Sequence, residues 1–256
     1  MKNISRTQRN LGWLIHIFTA SGACVGLFSL LAIYQHHFLL SLWMMGGAIA
    51  IDAVDGMFAR MVKIKEVVPE IDGALMDNIV DFVNYVIVPC FFLLVANMLP
   101  AYWSHLCVMA IVFASTYQFT QVDAKTHDHF FKGFPSYWNI AAFYLFFWQL
   151  TPATNMIILL TCVALTFVPI KYVYPSRLDY LTDNQWLRYG MVAITTIWGI
   201  ATYGLLWLYP GTNHVLVAIS LGYPLFYLAI SLYRTWVPLN SLVAESGELA
   251  KECYDG

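Results

Sequence analysis

Charge is what this sequence has least of. Only 11% of its 256 residues are Asp, Glu, Lys or Arg, against about 25% in ordinary soluble domains. With 60% hydrophobic residues and a mean hydropathy of +0.64, that scarcity excludes a water-soluble globule. Disorder is excluded too, because disordered chains are charged and poor in aromatics and here 16% of residues are aromatic. A basic surplus is also missing: 13 Lys and Arg stand against 15 Asp and Glu, a net charge of −2. The electrostatic footprint of a nucleic-acid binder is therefore absent. Cysteine is sparse, with five residues and no metal-ligand spacing. Cys24, Cys90, Cys107 and Cys162 lie in apolar stretches and read as small buried hydrophobes, leaving Cys253 in the polar tail. No small-residue cleavage site follows the first apolar run near Leu11, so a cleaved leader is not expected.

What the chain has is apolar runs. Cut at their polar and Pro/Gly breaks, they fall at 12–34, 38–61, 73–98, 102–121, 136–150, 153–173, 186–208 and 213–237. This predicts an all-α polytopic membrane bundle in one domain, 1–256, with about eight spans. The fifth run is short against the roughly 20 residues a crossing requires, so the expected count ranges from six to eight. Orientation follows from charge. In the eight-span reading all 13 Lys and Arg lie on the side of the N-terminus, while the opposite connections carry no charged residue. The positive-inside rule then predicts cytoplasmic termini, with the chemistry on that face.

The exceptions to apolarity are aspartates. The second run ends in Asp52, Asp55, Gly56, Ala59 and Arg60; the third begins with Gly73, Asp77 and Asp81. An Asp at a span's centre costs about 2.5–3.5 kcal/mol, less near its ends. Positions 52, 55, 56 and 59 share one helical face, as do 73, 77 and 81. The short loop 62–72 makes the two helices antiparallel neighbours, so four carboxylates can meet across one groove. Unpaired they would repel one another. A hard divalent cation would hold them ionised, and two such ions could clamp a diphosphate. Gly56, Ala59 and Gly73 leave room on the same faces, for a flat group or for close helix packing. Arg60 offers a fork to a phosphate or a positive-inside anchor.

These residues resemble the signature of the CDP-alcohol phosphotransferase family, D-x2-D-G-x2-A-R … G-x3-D-x3-D. All eight positions match within residues 52–81. The spacer of twelve residues, 61–72, is longer than in most members and resembles the bacterial branch that makes phosphatidylcholine. Residues 13–22 (WLIHIFTASG), 131–139 (FKGFPSYWN) and 172–177 (YVYPSR) look like that branch too. The resemblance implies a homodimer in the bacterial inner membrane that joins CDP-diacylglycerol to choline and releases CMP. It implies Mn2+ or Mg2+, two ions, held by Asp52, Asp55, Asp77 and Asp81, with Asp81 also the base for the choline hydroxyl. Gly56, Ala59, Arg60 and Gly73 would accommodate CDP-diacylglycerol.

Other residues are candidates by chemistry. Arg177, in a charged connection, could meet a lipid phosphate. Choline's quaternary ammonium cannot donate an N–H hydrogen bond, so aromatic faces must recognise it; Tyr85, Tyr137, Trp138, Tyr172 and Tyr174 are the candidates. His16 reads as a buried, satisfied histidine, with a place beside the site as the alternative. His127, Asp128 and His129 read as a solvated loop. Three other functions share parts of the pattern. One is transfer to serine, inositol or glycerol phosphate. Another is an intramembrane prenyltransferase, which lacks the combined Gly and Ala-Arg pattern. The third is a cation-coupled transporter, which would place its acids near the midplane.

Overall fold

A computed structural model of the chain describes residues 5–121, 130–173 and 185–236. Within them the chain is almost wholly helical, and two compact units emerge. The first comprises Met1–Thr120 and Ser136–Thr166. It opens with α1 (Arg6–Tyr34), started by a capping box: Ser5 Oγ accepts from the Gln8 N–H at 3.2 Å and Gln8 Oε1 from the Ser5 N–H at 2.9 Å. Helix α2 (Phe38–Val62) returns along α1, and the buried Ser29 and Ser41 hydroxyls tie the pair at 2.8 Å. Lys63 ends α2 in the left-handed region, φ 54°, which turns the chain into the single turn α3 (Ile64–Val67).

The spacer is a docked element. Val67 and Val68 are buried, and a Cβ on Gly12 would lie 2.6 Å from Val68 Cγ2, so Gly12 lets this turn seat directly on α1. Glu70 pairs with Arg9. Asp72 caps α4 (Gly73–Asp81) by accepting from the Ala74 and Leu75 N–H groups, both at 3.1 Å. Beyond Asp81 one π-helical turn, Phe82–Ile87, leads into α5 (Val88–Val95), and Gly73–Val95 runs as one apolar rod. Asn84 in this turn donates to the Gly22 carbonyl at 3.0 Å and the Val80 carbonyl at 3.1 Å, fixing the rod to α1. Helices α6 (Ser104–Thr120), α7 (Trp138–Trp148) and α8 (Pro152–Thr166) complete the unit.

The second unit comprises Gln121–Pro135 and Phe167–Gly256. Its described part holds β1 (Phe131–Lys132) paired antiparallel with β2 (Lys171–Tyr172), and the helices α9 (Gln185–Leu208) and α10 (His214–Trp236). Helix α10 receives β2: the Lys171 N–H donates to Thr235 Oγ1 at 2.9 Å, and Tyr227 donates to the Val173 carbonyl at 2.8 Å.

Each of the eight apolar runs became helical, but not all to a span's length. Among the described residues five helices are long and apolar enough to cross a bilayer: α1, α2, the Gly73–Val95 rod, α9 and α10. The chain is thus a multi-pass all-α membrane protein. Helices α6, α7 and α8 have 17, 11 and 15 residues. At 1.5 Å per residue these measure about 26, 16 and 22 Å. The reason is local for α7, where Ser136 at φ 58° and Gln149 at φ 46° bound the helix on both sides. Both lie inside the apolar run, where hydropathy carries no sign of a break.

Candidate active site

Helices α2 and α4 build the acidic groove that their spacing predicts. Asp52, Asp55 and Asp77 each bring a carboxylate oxygen to within 4.8 Å of the others. Asp55 is buried at 4% exposure, while Asp52 and Asp77 are half-buried. Three carboxylates so close, two of them open to the groove, are a donor set suited to a hard divalent cation. Asp81 stands one turn beyond Asp77 on the same face and lies outside that triad. It faces Tyr85 closely enough for the two to interact electrostatically.

Supporting groups fix the carboxylates. Thr19 on α1 stands close enough to the Asp55 carboxylate to act on it while its hydroxyl donates to the Ile15 carbonyl at 3.3 Å, and the Arg60 guanidinium acts on the same carboxylate from α2. Tyr85, in the π-helical turn, donates its hydroxyl to Asp52 Oδ2 at 2.8 Å. Such turns insert one extra residue and re-aim side chains, commonly at functional sites. Here the turn carries the buried Tyr85 ring to the foot of the carboxylate face.

Each signature glycine faces one particular side chain. A Cβ on Gly56 would lie 3.2 Å from Arg60 Nη1, so the missing side chain lets the exposed guanidinium fold back along α2. A Cβ on Gly73 would lie 3.1 Å from His16 Cε1. His16 is therefore beside the groove, and it is not the satisfied core histidine the sequence suggests. It is buried at 4% exposure, and its Nε2 has no hydrogen-bond partner.

The five aromatic candidates separate. Tyr137 is half-buried with its ring centroid 6.2 Å from that of Tyr85, so these two form one aromatic wall next to Asp52. Trp138 is fully buried and its indole N–H donates to Ser115 Oγ at 2.7 Å, which makes it an anchor of α7 on α6 rather than a rim residue. Tyr172 is buried in the second unit and stacks on Tyr227 at 6.2 Å. Tyr174 and Arg177 lie outside the described residues, as do His127, Asp128, His129 and Cys253. Of the cysteines read as buried, Cys90 and Cys107 are so, Cys162 is half-buried and Cys24 is exposed. Sequence reasoning missed Thr19 and the cap at Asp72. Asp72 before Gly73 is a helix-start signal that could have been read; the Thr19 contact depends on how α1 crosses α2, and no local spacing reports it.

Comparison with known proteins agrees with this geometry. The sequence profile of the CDP-alcohol phosphatidyltransferases matches residues 15–168, which contain the whole groove. The chain is 53% identical over 228 residues to a phosphatidylcholine synthase of Legionella pneumophila, covering 89% of each protein. It is 52% identical over 217 residues to a phosphatidylcholine synthase of Legionella bozemanae, covering 84% of this chain and all of the relative. At 31% identity over 235 residues it also matches a phosphatidylcholine synthase of Pseudomonas aeruginosa, across 91% of this chain and 96% of the relative. With its eight signature residues gathered on two facing helices and its length covered by these relatives, the chain belongs to the CDP-alcohol phosphatidyltransferase family.

Proposed function

We propose that this protein is a phosphatidylcholine synthase, transferring the phosphatidyl group of CDP-diacylglycerol to choline and releasing CMP. The observation that carries the reading is the Asp52–Asp55–Asp77 triad with the Tyr85–Tyr137 wall beside it. A carboxylate cluster suits a diphosphate donor, and aromatic faces suit a quaternary ammonium acceptor. The similarity to proteins named phosphatidylcholine synthase over most of the chain supports it.

Asp52, Asp55 and Asp77, with Asp81, would hold Mn2+ or Mg2+, two ions in all. When bound, these ions supply charge neutralisation at the diphosphate and at the departing CMP phosphate. The chain's own residues do the rest. Asp81 accepts the choline hydroxyl proton, since an alcohol is a weak nucleophile without a base in reach. The choline oxygen bonds to the phosphorus next to diacylglycerol, and the bond from that phosphorus to the CMP oxygen breaks. Gly56, Ala59 and Gly73 leave room for CDP-diacylglycerol, and Arg60 directs its fork to a phosphate oxygen. Tyr85 and Tyr137 face the ammonium. Arg177 remains a candidate anion contact. If all eight apolar helices cross, Lys and Arg fall on one side, which supports a cytoplasmic groove in a bacterial inner membrane, and the family resemblance supports a homodimer.

Membranes expressing the protein, given labelled choline, CDP-diacylglycerol and Mn2+, should form labelled phosphatidylcholine and stoichiometric CMP. If choline were inert and serine, inositol or glycerol phosphate released CMP instead, the acceptor assignment would fall while the donor assignment stood.

A further inference from the structure

We propose that His16 is a nucleotide-binding residue, its imidazole supplying a hydrogen bond to the cytidylyl half of the donor from the α1 side of the groove. This rests on the reading of the donor as CDP-diacylglycerol. Two observations carry it. The first is an unmet polar atom: His16 is buried at 4% exposure, and its Nε2 has no hydrogen-bond partner. Buried polar atoms are nearly always paired, and an unpaired one calls for an explanation, a bound ligand among them. The second is position. The ring edge stands 3.1 Å from where a Gly73 Cβ would be, on the face of α4 that carries Asp77 and Asp81. One turn along α1, Thr19 stands close enough to the Asp55 carboxylate to act on it, its hydroxyl donating to the Ile15 carbonyl at 3.3 Å. His16 and Thr19 therefore form a third wall, α1, to a groove whose other two walls are α2 and α4. Thr19 serves the carboxylates, and His16 stands beside the glycine that opens the groove. An imidazole offers one donor and one acceptor nitrogen, a fit for a pyrimidine edge or a ribose hydroxyl and a poor one for choline, whose ammonium takes neither.

The test is equilibrium dialysis of labelled CMP against the purified protein in detergent with Mn2+, alongside choline kinetics. His16→Ala should weaken CMP binding by about tenfold, the scale of one lost buried hydrogen bond. His16→Gln, whose amide reaches a similar position, should stay within about threefold of wild type. The choline KM should not move in either variant. Wild-type CMP affinity in both variants would overturn the proposal. Equal weakening in both would overturn it as well, by assigning the effect to ring volume. A wild-type protein that binds CMP but leaves choline unused would sink the acceptor reading and spare this one.

Discussion

Tyr85 sits where two explanations of one residue can be separated. Its ring faces Tyr137 across 6.2 Å, as a choline wall requires, and its hydroxyl donates to Asp52 Oδ2 at 2.8 Å, as a metal-positioning group requires. Tyr85→Phe removes only the hydroxyl. A hydrogen bond to a charged group contributes about 1.5–3 kcal/mol, and loss of a group orienting a metal ligand typically costs about 10–100-fold in metal affinity or activity. Asp52 is half-buried, so part of the lost contact is replaced by water, and the lower end, about tenfold, is expected. Tyr85→Phe should therefore raise the half-saturating Mn2+ concentration about tenfold and leave the choline KM within about twofold, since the ring face remains. Tyr85→Ala should raise both. The assay is CMP release at varied Mn2+ with choline saturating, repeated at varied choline with Mn2+ saturating. Unchanged Mn2+ dependence in Tyr85→Phe would show that the hydroxyl does not hold Asp52 in its working position. A choline KM raised as far by Phe as by Ala would assign the hydroxyl, not the ring, to choline.

The remaining predictions address the acids and the anchor of α7. Chelation should abolish transfer and added Mn2+ should restore it, while Asp52→Asn, Asp55→Asn and Asp77→Asn should each remain inactive at any metal concentration; retained activity in metal-free protein would refute the carboxylate cluster's role. Asp81→Asn should still bind CDP-diacylglycerol but turn over about 10²-fold or more slowly, the scale of a lost general base, and near-normal turnover would remove that role. Trp138→Phe should destabilise the protein by about 0.5–1.5 kcal/mol, the net worth of the lost 2.7 Å bond, because Ser115 still accepts from the Ser136 hydroxyl at 3.2 Å, seen as a lower melting temperature in detergent. Its choline KM should stay at the wild-type value, and a raised KM would return Trp138 to the choline site.

Helical class, the membrane setting and the acidic groove were legible in the sequence because each rests on a local rule. Hydropathy over about 20 residues reports a span, and the 3.6-residue period reports which aspartates share a face. What was not legible depends on contacts between helices. The length of α7 turns on left-handed residues at Ser136 and Gln149, neither of them Gly or Asn. Aromatic type and side of the membrane do not report ring partners: the Trp138 indole bonds Ser115 and the Tyr172 ring stacks on Tyr227, while Tyr85 reaches Asp52. Within the spacer Asp72 caps α4 and Glu70 pairs with Arg9, and the second of these contacts depends on how the turn docks on α1.

The two signature glycines show what a motif conceals. Written as spacing, Gly56 and Gly73 are gaps reserved for substrate. In the folded chain each gap is bordered by a polar side chain: the Arg60 fork lies over Gly56 and the His16 ring over Gly73. A methyl at either position would press within about 3.0–3.4 Å of a nitrogen-bearing group and force it outward by tenths of an ångström. Displacements of that order matter where a donor must meet a phosphate or a base edge, because productive geometry is held to about 0.5 Å. Arg60 lies within the motif and His16 lies 57 positions before Gly73, so only the first of these relations has a sequence signature. On the proposed donor assignment, each glycine therefore sets the place of the group it admits, and α1 joins the two helices that carry the aspartates in binding the nucleotide.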